Sequence, residues 1–329
     1  MNASTNVFQD RTHSQDKKIS LSFVGDKLGL LIVFAVICVI LSFLSPVFLK
    51  QQNLVNILLS ASLVGVVSSG MTFVILSAGI DLSVGSVVAL AGTTVAMLVN
   101  QGLAPAPAIM LTLLVGCCFG AINGFFITTI GVNPLITTLG TMMVFRGAAY
   151  IVSGGSAVYI QNEAFYKIGT GCLFGIQNPI LVLIATFLVF YIILTKTVFG
   201  RNLYVIGGNK EAARLCGVTI RRYSYAIYII SGLMATLSGI ILAGRMTSGQ
   251  PTAASGLELD VVTAVVLGGT ALTGGEGSMA GTILGVMIMT VFRNGLLLLN
   301  VDAFYQYIAS GMLLLAAVTF DQLRHRKKD

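Results

Sequence analysis

Ionisable side chains are scarce in this chain, so each one set among apolar residues carries information. Asp81, Arg146, Asp260 and Arg293 lie within or beside long apolar runs. A charge at membrane depth costs about 2.5–3.5 kcal/mol and therefore faces a partner or a watery cavity. Asp81 sits in Ser77-Ala78-Gly79-Ile80-Asp81-Leu82-Ser83-Val84-Gly85-Ser86, which interrupts the apolar pattern between two runs. Two readings are open: an irregular turn that lines or gates a path, or helix N-capping by Asp81 or Ser83. Arg146 either pairs with a carboxylate inside a bundle or snorkels to an interface. Asp260, two residues after Glu258, either contacts a partner or marks an acidic helix start. With Asn123, Asn133 and Asn294, these residues form the candidate path or gate: Asp81, Ser83, Asn123, Asn133, Arg146, Asp260 and Asn294.

Other chemistries are excluded residue by residue. The stretch Gly268-Gly269-Thr270-Ala271-Leu272-Thr273-Gly274-Gly275-Glu276-Gly277 lacks the Gly-Lys-Ser/Thr ending with which a P-loop holds phosphate and magnesium. Gly169-Thr170-Gly171-Cys172-Leu173-Phe174-Gly175 misses the dinucleotide spacing. His13 and His325 both lie in basic tails, and no His, Cys and carboxylate cluster has metal-ligand spacing. No catalytic residue, metal or cofactor is therefore expected. The five cysteines are scattered through apolar stretches and suggest no disulfide framework.

The elements that must position these residues follow from hydropathy. The chain is 56% hydrophobic and 9% charged, against roughly a quarter charged in soluble domains, and its mean hydropathy is +0.92. Apolar stretches near 28–45, 54–77, 83–100, 106–129, 134–153, 179–195, 223–244, 258–273, 278–299 and 303–320 predict an all-α polytopic membrane protein of about ten transmembrane helices. The net charge of +7 does not signal nucleic acid. Most of the 19 Lys and Arg fall in the N-terminal tail, in a central loop (Lys196, Arg201, Lys210, Arg214, Arg221, Arg222) and in the C-terminal tail. Ten spans put all three clusters, and both termini, on the cytoplasmic side of an inner membrane. The expected organisation is a cytoplasmic tail over 1–27, a transmembrane domain over 28–322 and a basic tail over 323–329. Within the domain, two inverted five-helix halves cover about 28–153 and 179–320. Asn123-Gly124 and Asn294-Gly295, late in the fourth and ninth spans, support the repeat. Gly116, Gly120 and Gly124, like Gly281 and Gly285, form stripes that let helices approach closely in lipid.

Scarce mid-span carboxylates argue against ion-coupled transport and for energy delivered by another polypeptide. The place to deliver it is the central loop, about 196–222. There Asn209 can cap a short helix running through Leu215, and Gly217 can end it. Such a helix is either a knob for a soluble subunit or an ordinary amphipathic interface helix. On the other side, Gly154–Asn178 is a long polar loop with Glu163 and Tyr166, able to dock a partner or to cap the bundle.

At these residues the sequence resembles the permease subunits of bacterial monosaccharide ABC importers, the ribose, arabinose, xylose, galactose and autoinducer-2 group. The resemblance is carried by Gly70-Met71-Thr72-Phe73-Val74-Ile75-Leu76 running into Ala78–Ser86, by Phe199-Gly200-Arg201 with Ile206-Gly207-Gly208-Asn209 and Ala212-Ala213-Arg214-Leu215, by Arg245 through Pro251, and by Ala264-Val265-Val266-Leu267-Gly268-Gly269-Thr270. It covers the chain from about Leu28 to Asp321. It implies a vitamin B12-type importer architecture, with a permease dimer on two ATP-binding subunits, fed by an external sugar-binding protein. On that resemblance Gly207, Gly208, Asn209, Glu211, Ala212, Arg214 and Gly217 couple to the ATPase, and Glu163, Tyr166, Arg245 and Gln250 meet the binding protein. A branched-chain amino-acid ABC permease and an ion-coupled secondary sugar transporter are the alternatives.

Overall fold

The computed structural model describes residues 28–326. The expected N-terminal tail, the last three residues and two of the three basic clusters lie wholly or partly outside that range.

Helix dominates because, at membrane depth, each peptide group must be satisfied within its own segment. In chain order the helices are α1 (Leu28–Leu44), α2 (Gln51–Leu76), α3 (Val84–Asn100), α4 (Pro105–Phe125), α5 (Pro134–Ser153), α6 (Glu163–Thr170), α7 (Asn178–Lys196), α8 (Val198–Gly208), α9 (Lys210–Leu215), α10 (Ile220–Met246), α11 (Leu257–Leu267), α12 (Met279–Leu298) and α13 (Ala303–Arg326). Seven are long and apolar enough to cross a membrane: α2, α4 with its π-helical continuation to Ile130, α5, α7, α10, α12 and α13. α1 and α3 are apolar but shorter, and α11 has only 11 residues. The eighth expected span departs most from 258–273. Its helix stops at Leu267 because Gly269, Gly274 and Gly275 take left-handed backbone angles, and 268–278 is irregular.

α10 is the central post. It packs on α2, α3 and α4, and small residues permit the approach. A side-chain carbon on Gly120 would collide with the carbonyl of Tyr228 on α10, and one on Gly285 would collide with the carbonyl of Ala264 on α11. Both expected glycine stripes therefore lie at helix seams. The Phe73 ring of α2 packs in tilted contact with Phe190 of α7 at 4.8 Å and with Phe199 of α8 at 5.9 Å, which fastens α8 to the bundle. α1 and α13 leave most of their apolar side chains exposed, Phe43, Phe304, Met312 and Phe320 among them.

Segments that alternating spans would put on one side do meet. At one end, Gly275 donates its N–H to the Leu76 carbonyl at 2.9 Å, and Tyr204 donates to the Gly277 carbonyl at 2.9 Å. At the other, the strand β1 (Val158–Tyr159) pairs antiparallel with β4 (Ser248–Gly249), Asn100 donates to the Tyr159 carbonyl at 2.7 Å, and the amides of Asn53 and Asn294 exchange hydrogen bonds at 3.1 and 2.8 Å. A second hairpin joins β2 (Cys172–Leu173) to β3 (Ile176–Gln177).

Gly120→Ala is expected to destabilise the purified protein by about 2 kcal/mol through overpacking. Gly140→Ala, which would meet nothing within 4 Å, should be neutral or slightly stabilising. Thermal unfolding midpoints in detergent would separate the two; equal midpoints would contradict the close-packed seam.

Candidate functional site

Where α2 ends, the chain turns back into the bundle rather than leaving it. Ala78 adopts a left-handed backbone at φ 58°, and the Gly79 N–H closes on the Val74 carbonyl at 2.9 Å. This turn delivers Asp81, 1% exposed, to the middle of four elements. Its Oδ1 accepts from the Ser83 N–H at 3.0 Å and from the Ser83 hydroxyl at 2.6 Å, and its Oδ2 accepts from Ser231 of α10 at 2.7 Å. The Asn123 amide of α4 donates to Ser83 Oγ at 2.9 Å, and its Oδ1 accepts from Thr141 of α5 at 2.7 Å. Ser231 lies 11 residues into α10, about 16 Å along the axis, so the carboxylate is well inside the bundle. The capping reading fails for Ser83, whose hydroxyl is spent on Asp81 and makes no cap bond.

α3 thus starts inside the bundle, and so does α11. After β4 the chain does not stay at the surface but descends beside α3. A side-chain carbon on Gly249 would strike Gly92, and one on Gly85 would strike the Ala254 carbonyl and the Glu258 carboxylate. Gly92 and Gly85 precede Asn100 by eight and 15 residues, about 12 and 22 Å along α3. The first turns of α3 and α11 consequently abut at mid-depth, with a buried Glu258 Oε2 that has no hydrogen-bond partner among the described residues. Arg146 reaches across from α5 and donates to the carbonyls of Pro251 at 2.8 Å and Ala253 at 2.7 Å. Arg146 hydrogen-bonds main chain, with the Glu258 carboxylate of α11 within electrostatic reach. Asp260, 3% exposed, forms an ion pair with Arg293 of α12 at 2.5 Å.

The candidate path residues therefore fall into separate groups. Asp81, Ser83 and Asn123 converge; Arg146 and Asp260 belong to the neighbouring α11 region. Asn294 instead pairs with Asn53, and Asn133 caps α5 by accepting from Leu135 N–H at 2.9 Å. Thr141 and Ser231 were not legible as hub members, because a lone hydroxyl in an apolar helix has no distinguishing sequence context.

On the α8–α9 side, Asn209 caps α9 by accepting from the Ala212 N–H at 3.0 Å, and Gly217 ends the turn at φ 78°. Glu211, Ala212 and Arg214 are exposed, while Ala213 is buried. Leu215 was not singled out in sequence, yet it is 88% exposed, an apolar tip amid charged neighbours. Gly207 abuts the Leu76 carbonyl and Gly275, and the neighbouring Gly274 abuts Ala78, so α8 touches the end of α2 and the 268–278 segment, which in turn meets the 77–83 turn. Burial raises the Tyr204 phenol above its usual range, keeping it a neutral donor to Gly277. A cavity of about 560 Å³ opens beside α9, lined by Asn202, Cys216, Thr219 and Arg222.

At the opposite end, Glu163 is exposed at the start of α6. The Tyr166 hydroxyl donates to the Ile160 carbonyl, Arg245 donates to the Leu59 carbonyl at 3.1 Å, and Gln250 bonds Ser248 at 3.3 Å. Tyr166 and Gln250 thus hold the loops of that end, and Arg245 joins α10 to α2. Among the described residues, no group of His, Cys, Asp and Glu could hold a metal ion.

Asp81→Ala strips the acceptor from three buried donors and should cost about 3 kcal/mol. Uptake per molecule of purified protein is expected to fall further than the yield of folded protein. Loss of yield with unchanged uptake per molecule would make the hub purely structural.

The family model described as branched-chain amino acid transport system / permease component matches residues 53–318. The L-arabinose transport system permease protein AraH of Escherichia coli (strain K12) is 43% identical, over 94% of this chain and 95% of that protein. The ribose import permease proteins RbsC of Bacillus subtilis (strain 168) and Haemophilus influenzae are 40% and 38% identical, over 95% and 90% of this chain and 98% and 93% of theirs. No solved structure matches the chain significantly. With motifs, multi-pass apolar helices and full-length relatives in agreement, the chain belongs to the permease subunits of bacterial monosaccharide ABC importers.

Proposed function

We propose that this chain is the pore-forming subunit of an ATP-driven uptake system for a pentose or related monosaccharide, working with separate ATP-binding subunits and an external sugar-binding protein. The observation that carries the coupling is α9: a six-residue helix, capped at both ends and exposed on its charged face, next to an α8 whose Gly200, Leu203 and Ile206 are buried and whose Gly207 abuts the end of α2 and the 268–278 segment. Force applied to such a knob reaches the end of α2 and the 268–278 segment through main-chain contact, and through Gly274 the turn at Ala78. Gly207, Gly208, Asn209, Glu211, Ala212, Arg214 and Gly217 form this coupling element, and Leu215 is its apolar tip. Hydrolysis of ATP belongs to the partner.

Ten spans in two inverted halves, on a vitamin B12-type plan with both termini cytoplasmic, remain the reading of the whole chain. It is supported by α3 and α11, the third and eighth apolar helices, each short and each entered through an irregular segment, from opposite ends of the bundle. The exposed apolar faces of α5 and α13 suit a second copy of the permease, and Glu163 on α6 suits the binding protein. The branched-chain amino acid description of the matching family keeps that substrate class as the second reading. The names of the arabinose and ribose relatives favour a sugar.

Arg214→Glu or Leu215→Asp should weaken docking of the ATPase by about thirtyfold, the effect of losing one interface anchor, and should abolish coupled uptake in proteoliposomes while the permease still purifies intact. Normal uptake of labelled L-arabinose, D-ribose or leucine by either variant would contradict the coupling role. Accumulation by the permease alone along a proton or sodium gradient would favour the ion-coupled alternative.

A further inference from the structure

The segment between β4 and α11 has features that packing alone does not require. Its backbone is irregular over Gln250–Gly256, with left-handed angles at Ala254 (φ 56°) and Gly256 (φ 82°). It also lies deep, against Gly92 and Gly85 of α3. Non-helical backbone at such depth is tolerated only where protein buries it or water reaches it. Burial accounts for one face: Pro251 is buried, and Arg146 binds the Pro251 and Ala253 carbonyls. The other face is open. Thr252 and Ser255 are both exposed, and neither hydroxyl is hydrogen-bonded to any described residue.

Two open hydroxyls at mid-depth would be poorly placed against lipid chains. They are well placed in a wet passage. The surroundings favour the passage: Arg146 on α5 holds one flank, and Tyr307 of α13, 63% exposed, approaches Gly256 on the other. A hydroxyl is both donor and acceptor, which suits a ligand made of hydroxyl groups, and an aromatic face suits the apolar side of a sugar ring.

We propose that Gln250–Gly256 is the wall of the solute path, that Thr252 and Ser255 are the groups meeting the sugar's hydroxyls as it passes, and that Arg146 holds the wall in position. This deepens the sugar-permease reading and rests on it for the identity of the solute. External selection by a binding protein leaves the wall a weak contact. Weak contact is what passage needs, since a tight site would retain the sugar.

The test uses the full importer, permease with its ATPase and binding protein, in proteoliposomes. Thr252→Cys and Ser255→Cys are exposed to a charged, membrane-impermeant maleimide and the modified peptides are quantified, with Leu188→Cys on the exposed face of α7 as the lipid-facing control and native Cys172 as the exposed reference. Cysteines at 252 and 255 are expected to react well above the control and to be protected while labelled L-arabinose or D-ribose is being transported. Thr252→Val with Ser255→Ala is expected to lower maximal uptake about fivefold for each hydroxyl removed, with half-saturation still set by the binding protein. Cysteines as silent as the control would overturn the wall, and so would unchanged uptake by the double variant. If the parental importer moved neither sugar while both cysteines still reacted, the sugar assignment would fall and the aqueous path would stand.

Discussion

A peptide group in hydrocarbon must find its hydrogen bond within the protein, and every departure from continuous helix here answers to that constraint. The chain breaks helix at depth in two places. At 77–83 the break is closed by the Asp81 carboxylate, which gathers hydroxyl and amide donors from α3 and α10 and, through Asn123 and Thr141, ties in α4 and α5. At 250–256 it is closed on one side by the Arg146 guanidinium. A carboxyl group secures one break through hydroxyl and amide donors, and a guanidinium secures the other through main-chain carbonyls, with the Glu258 carboxylate in its electrostatic reach.

Glycine is the complement of these polar fasteners. Where lipid offers no hydrophobic drive for helices to associate, close van der Waals approach supplies the attraction. Hence Gly120 lies against Tyr228 and Gly285 against Ala264. The same device brings α8 onto the end of α2, where main chain touches main chain at Gly207 and Leu76. Soft side-chain packing would absorb a small displacement at that joint, whereas abutting backbones transmit it.

Much of this was legible in the sequence, and the reasons are particular. The apolar stretches mark the helices because length and hydropathy are linear properties of the chain. Asp81 was conspicuous as a charge in an interrupted run, and Asn209 and Gly217 bracket α9 as capping chemistry dictates. What escaped notice depends on folding in three dimensions. The descent of 247–257 into the bundle cannot be read from composition, since a short polar segment between apolar runs looks the same at the surface or at depth. Asn294 resembled Asn123 in its sequence setting, yet one joins a four-element network while the other pairs with Asn53 at the far end of the bundle.

The Asp81 network also bears on where this molecule can bend. A carboxylate sealed from water and shared among α3, α4, α5 and α10 cannot trade partners cheaply, so those four helices are welded into a single piece. Flexing is then concentrated outside that piece, in the glycine-rich stretch 268–278, where Gly269, Gly274, Gly275 and Gly277 take positive φ. A transport cycle built on such a frame would proceed by tilting whole blocks about glycine joints, with the polar knot at its centre carried along unchanged.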